Sequence, residues 1–285
     1  MTSKLSILGG VVTVFGLMSG GCSDSPANRL DDEPPSCTAE TRVYRITSVD
    51  PSLHVAHTID VDADGKPDDA LGEAHDRIAG VDPAFAVAPR IAPRLADDVP
   101  WLIAVDRCGD DVRVTIDEGV MLPGDATPMM PEQLPRAVGV LRDGVVDARD
   151  GQLHVPLGAL ADASNALPPR WVLGDAVTIR ATLVEGTDAE TLDGVFGAAI
   201  DRDTARAELA PPIAAFLTAQ PADDILRLGA DGDQDGIVTA AEVTATQPFA
   251  EATLGDVNPT APDGTPRFDA PAVSLALRFH AVRIR

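Results

Sequence analysis

The run DGDQDGIVTAAE, Asp231 to Glu242, packs four carboxylates into twelve residues. Asp231, Asp233 and Asp235 alternate with other residues, Gly236 follows, and Glu242 closes the run. Like charges at this density repel one another unless a cation sits among them. Asp at the first, third and fifth places offers one oxygen each. Gly236 at the sixth lets the chain turn sharply. Ile237 at the seventh offers its backbone carbonyl, Thr239 at the ninth reaches through water, and Glu242 at the twelfth can bind with both oxygens. A set of about six to eight oxygens in flexible geometry suits calcium better than magnesium, which demands a tight octahedron. Calcium is therefore the expected cofactor.

A second run, DVDADGKPDD, repeats the first half of this spacing: Asp60, Asp62 and Asp64, then Gly65. Asp68 falls at the ninth place. Leu71 stands at the twelfth, so the closing carboxylate is missing and Asp69 or Glu73 is the expected substitute. A third stretch, DVNPTAPDG near Asp256, lacks the needed glycine and reads as an ordinary Pro/Gly turn. The Asp231 run resembles the calcium loop of EF-hands, with Val238 as its apolar anchor. PADDILRLGA before it and TAAEVTA after it read as short helices, bounded by Pro221 and Pro248. The Asp60 run resembles the thrombospondin type 3 pattern. Both runs resemble dockerin-type loops, here about 170 residues apart.

Around these loops the chain reads mostly as strands. TRVYRITSV alternates through Val43, Tyr44 and Ile46, and PWLIAVDRC is a short apolar run. Val112, Val114 and Ile116 share one face, as do Val273, Leu275, Leu277 and Phe279; AVTIRATLVE alternates from Val177 to Val184. Asp143-Gly144 between apolar runs signals a hairpin, and Asp150-Gly151 reads as a further turn. Helical spacing marks about Asp68 to Ile78, and again the stretch containing Ile213, Phe216 and Leu217. The expected fold is mainly β: one domain over 41–285, with a β-sandwich-like core and a few short helices. These include an EF-hand-like helix-loop-helix near the C-terminus. An α+β arrangement is the alternative.

The chain has 285 residues and a formal net charge of -23. Such a surface cannot neutralise phosphates, which excludes nucleic acid as a partner and disfavours direct binding to anionic bilayers. The N-terminus gives an address. MTSKLSILGGVVTVFGLMSGGC has Lys4, an apolar stretch from Leu5 to Met18, then small residues and Cys22. That is the layout of a secretory signal, and the apolar stretch is shorter than the roughly 18–20 residues that span a bilayer. The ending resembles a bacterial lipobox. It implies a signal peptide over 1–21, a lipid on Cys22 as the membrane anchor, and an acidic, Pro-containing tether over 22–40. Ser23 is compatible with outer-membrane sorting. Two of the three cysteines then remain, and an oxidising compartment predicts a Cys37–Cys108 disulfide.

Taken in order, the lipobox, the DxDxDGxxDDALG stretch, the late DxDGxxTxxE loop and the final VSLALRFHAV strand resemble a group of uncharacterised bacterial lipoproteins. The resemblance implies extracytoplasmic, membrane-anchored proteins and brings no activity. The chain holds no GxSxG, HExxH or GxxxxGK[ST] motif, and no GxGxxG after a strand. His54 and His57 of HVAH would face opposite ways in a strand, and His75, His154 and His280 stand alone in the sequence. The expectation is an exported calcium-binding lipoprotein with a non-catalytic structural or ligand-binding role at the bacterial cell envelope. Its ligand would be a glycan or a protein. A calcium-stabilised extracytoplasmic hydrolase is the alternative. Metabolic labelling with a fatty acid should mark the wild type and spare Cys22→Ala; an unlabelled wild type ends the lipoprotein reading.

Overall fold

Eight strands follow one another along the chain: β1 (Glu40–Asp50), β2 (Trp101–Cys108), β3 (Asp111–Glu118), β4 (Ala137–Arg142), β5 (Val145–Val155), β6 (Val172–Glu185), β7 (Glu190–Ile200) and β8 (Val273–Arg283). The computed structural model describes residues 40–51, 59–97, 100–119, 134–162, 170–186 and 189–284. The signal and lipidation expectations at 1–22, nearly all of the tether, Cys37, and the His54 and His57 pair lie outside the described residues.

Each strand pairs antiparallel with the next, and β1 also pairs with β8, so the sheet closes into a barrel. Mainly β stands; the sandwich does not. Alternating strands fill a sandwich and a barrel equally well. What separates the two is the β1–β8 register, Tyr44 opposite Arg283 and Asp50 opposite Arg278. That pairing joins the two ends of the domain and leaves no mark in any local pattern. Closure also removes the exposed sheet edges.

The inward residues fill the barrel. Trp171, Trp101, Phe196 and Phe279 contact in series, with ring centroids 6.2, 5.3 and 5.6 Å apart. Tyr44, Ile46, Ile103, Leu153 and Leu277 are fully buried around them. A barrel of this strand number is just wide enough for side chains to fill. Each large apolar side chain buried this way contributes about 1.5–3 kcal/mol. Glu190 of β7 ties the seam: it accepts hydrogen bonds from the Tyr44 hydroxyl, from Arg42 Nη1 at 2.7 Å and from Arg283 Nη1 at 3.3 Å.

Because strand direction alternates, successive connections leave opposite ends. One end carries the short turns at 109–110, 143–144 and 186–189. The 143–144 hairpin is as expected, with Asp143 and Gly144 both left-handed (φ 51° and 76°). The other end carries every long connection: 51–100, 119–136, 156–171 and 201–272. Asp150-Gly151 is not a turn. β5 runs through it as a bulge, with Asp150 at φ 65° and a register shift between Ala148 and Gly151.

The long connections hold seven helices among the described residues: α1 (Ala70–Val81), α2 (Ala88–Asp97), α3 (Leu157–Ala161), α4 (Arg202–Ala219), α5 (Ile225–Ala230), α6 (Ala240–Ala245) and α7 (Gln247–Ala252). Residues of α4, α6 and α7 share a second core with Phe85, including Leu217, Val243 and Phe249. A third cluster lies apart from the barrel core: Ile59 and Val61, just after β1, pack on Ala176, Ala199 and Ala276. Gly197 of β7 makes room for them, since a Cβ there would lie 2.3 Å from Ile59 Cγ2. Gly197→Val should therefore destabilise the domain by about 1–3 kcal/mol, and Ile59→Ala should recover part of that loss in a double-mutant cycle by urea unfolding. Strictly additive losses would mean that Ile59 does not rest on Gly197.

Candidate metal centre

The two acidic runs fold alike. Gly65 and Gly236, each at the sixth place, sit at φ 87° and 86°, a region that favours glycine. The fourth residues, Ala63 and Gln234, are also left-handed, at φ 63° and 60°. In each loop the glycine N–H donates to the first Asp: Gly65 to Asp60 Oδ2 at 2.9 Å and Gly236 to Asp231 Oδ2 at 3.0 Å. The fifth residue's N–H donates to the third, Asp64 to Asp62 Oδ1 at 3.2 Å and Asp235 to Asp233 Oδ1 at 3.1 Å. The seventh donates to the fifth, Lys66 to Asp64 Oδ1 and Ile237 to Asp235 Oδ1, both at 2.8 Å. The shared bonds explain why the Asp spacing recurs: each side chain ties down the backbone that positions the next.

In the later loop, oxygens of Asp231, Asp233 and Glu242 lie within 4.8 Å of one another. Asp231 is only 9% exposed, and its Oδ1 is buried without a hydrogen-bond partner. A carboxylate oxygen taken out of water and left unbonded is costly. A divalent cation would supply the missing partner and neutralise the two neighbouring carboxylates. The donors are all oxygens, which suits a hard cation such as calcium. Glu242 reaches across the loop, accepting from Gly232 N at 2.9 Å through Oε1 and from Thr239 N at 2.8 Å through Oε2. The bonds from Thr239, backbone first, hold its carboxyl below the usual range. Asp235 and Thr239 stand outside the three-carboxylate group. Thr239 caps α6 in a box with Glu242, and Ile237 leaves its side chain exposed.

Val238, the expected apolar anchor, is buried in the helical core. Two residues outside the loop also hold it, and the loop's own sequence does not reveal them. The Thr218 hydroxyl, from α4, accepts from Val238 N at 2.9 Å and donates to Val238 O at 3.2 Å, so one side chain satisfies both backbone groups. Arg227 of α5 donates to the carbonyls of Gly236 and Gln220. Six-residue helices flank the loop, α5 before it and α6 after it.

In the earlier loop, oxygens of Asp60, Asp62 and Asp68 come within 4.8 Å. Asp68 supplies the third carboxylate that Glu242 supplies in the other loop. Burial, with Asp62 and Asp256 adding to it, pushes the Asp68 carboxyl up to about 6. Asp64 is drawn away by Lys66, Nζ to Oδ2 at 2.8 Å. Neither expected substitute closes the loop. Glu73 pairs with Arg77 at 2.6 Å. Asp69 caps α1, accepting from Gly72 N at 2.9 Å, and the same oxygen accepts from Ala276 N of β8 at 3.0 Å.

β1 ends opposite Arg278, so β8 runs on beyond it. Asp69 covers Ala276 there, and Asp256 covers Ser274, accepting its N–H at 2.8 Å. Asn258 N donates to Asp62 Oδ2 at 3.0 Å. The Asp256 stretch, expected as an ordinary turn, is thus a strap that joins the earlier loop to β8. No spacing rule points to that role, because one of its partners, Asp62, lies 196 residues from Asn258.

Two concavities stand out. One of about 620 Å³ opens at the short-turn end, lined by Arg42, Arg107, Asp110, Arg142 and Glu185 among others. One of about 120 Å³ lies among the helices. The first is lined by arginines and carboxylates without a histidine, and the second has no carboxylate in its lining. His75 in the second is fully engaged, with Val87 N at 3.2 Å and Asp76 at 3.0 Å. His154 and His280 are not alone as their sequence positions suggested. They pair with Asp117 at 2.7 Å and Asp193 at 2.6 Å, outside both concavities. Comparison with known protein families, curated proteins and solved structures finds no match to this chain.

Proposed function

We propose that this protein is an exported calcium-binding lipoprotein, anchored to the cell envelope through Cys22, with a non-catalytic structural or ligand-binding role. The observation that carries the calcium reading is the buried, unpartnered Asp231 Oδ1 beside Asp233 and Glu242. The Asp60 loop supports it by adopting the same turns and bonds on an unrelated stretch of chain. In the same reading α5, the Asp231 loop and α6 act as one EF-hand-like unit, Asp60, Asp62 and Asp68 hold a second ion, and Cys37 pairs with Cys108. The lipoprotein part rests on the signal-like N-terminus and its small-residue approach to Cys22.

Extracellular calcium modules bind at about 0.1–1 mM, so outside the cytosol the sites are constitutively loaded and the ions act by mass action. Each ion fastens a different part: the earlier one the strap and barrel wall, the later one the helical cap.

Calcium at about a hundred-fold excess over Kd should stabilise the domain by about 2.7 kcal/mol per site, or about 5–10 °C in Tm for each site at this size. Asp231→Asn keeps an acceptor for Gly236 N and removes the buried charge. In chelator this variant should melt at or above the wild-type temperature. In calcium it should melt lower, having lost the increment of the later loop. A wild type that melts alike in calcium and chelator ends the reading, and an Asp231→Asn variant with the full calcium increment moves the ion elsewhere.

A further inference from the structure

We propose that the small cavity among the helices binds a short aliphatic carboxylate, with its chain between apolar walls and its head group on Arg90. The lining comes from several elements and includes Leu71, Phe85, Leu160, Leu209 and Ile213. It has two ionisable residues, His75 and Arg90, and the ring nitrogens of His75 are already engaged. Arg90 is held in place by its own turn: Nε donates to Ala86 O at 2.8 Å and Nη2 to Phe85 O at 3.0 Å. Its third nitrogen, Nη1, is buried with no partner. The acid that acts on it, Asp162, sits in a buried ion pair with Arg94 at 3.6 Å.

A guanidinium fixed by two carbonyls, with one nitrogen left unpartnered in apolar surroundings, selects an anion with an apolar body. Burial holds this guanidinium below its ordinary range, outweighing the opposing pull of Asp162. Size narrows the class. A cavity of about 150 Å³ holds a benzene ring, so the 120 Å³ here suits a chain of about five or six carbons. Ile78 and Ile213 are half-buried and Pro248 is exposed, so the lining reaches the surface and a ligand can enter without unfolding the cap. The inference does not rest on the calcium reading.

Hexanoate is the probe, titrated by calorimetry into the full domain with calcium held constant, and hexanol serves as the uncharged control. Hexanoate should bind saturably, about ten-fold or more tighter than hexanol, since a hydrogen bond to a charged group is the difference. Arg90→Met should reduce hexanoate to the level of hexanol while leaving hexanol binding unchanged. Where Arg90→Met does not fold, Ala74→Leu, which fills the cavity and leaves Arg90 in place, should abolish hexanoate binding. Absence of saturable binding, equal affinity for hexanol, or unchanged affinity in the folded variant overturns the proposal.

Discussion

A buried carboxylate oxygen with nothing to bond is the constraint on which the rest of this structure turns. Asp231 Oδ1 has left water and found no donor, although its partner oxygen is satisfied by Gly236. Three N–H groups of the loop do not relieve it, because each is committed to a different carboxylate. Gly232 serves Glu242, Asp235 serves Asp233, and Ile237 serves Asp235. The loop spends its donors on aiming carboxylates and leaves oxygens converging on one point. Such an arrangement is unfavourable alone and favourable around a cation. The Asp60 loop reaches the same backbone shape with Asp68 in place of the distant glutamate, so the shape follows from the Asp and Gly spacing rather than from the flanking helices.

The barrel decides where these loops can be. An antiparallel meander that closes on itself sends alternate connections to opposite ends, and in this chain all the long ones leave from the same end. Both acidic runs lie in long connections, one between β1 and β2 and one between β7 and β8. Those two connections flank the closing pair β1–β8. The earlier loop therefore lies beside the strand that closes the barrel, and Asp69, Asp256 and Asn258 fasten it there. The later loop rests instead on α4 through Val238 and Thr218. Neutralising the earlier cluster would stabilise contacts that are distant in sequence, which is where closing a loop removes the most chain entropy.

The local parts of this architecture were legible in the sequence because they depend on near neighbours. Alternation marked the strands, the 143–144 turn declared its hairpin, and the Asp spacing marked both loops. Barrel closure was hidden because β1 and β8 meet from opposite ends of the domain, and an alternating strand looks the same in a sandwich. Asp150-Gly151 reads as a turn by composition, but the extra residue is absorbed as a bulge within β5. By spacing alone Asp69 and Glu73 resemble closing ligands; helix capping and an ion pair with Arg77 claim them first. Thr218, Arg227 and Asn258 carry no motif. Each acts through one or two backbone bonds whose partners only the fold brings near.

A packed barrel gives rigidity, its long connections carry two carboxylate clusters, and in the proposed function calcium ions complete those clusters. The most direct test is the number of calcium ions bound, measured by equilibrium dialysis on chelator-stripped, full-length protein. The account predicts two ions per chain at saturation, falling to one in Asp231→Asn. A protein that binds none at millimolar calcium, or keeps two in that variant, contradicts it.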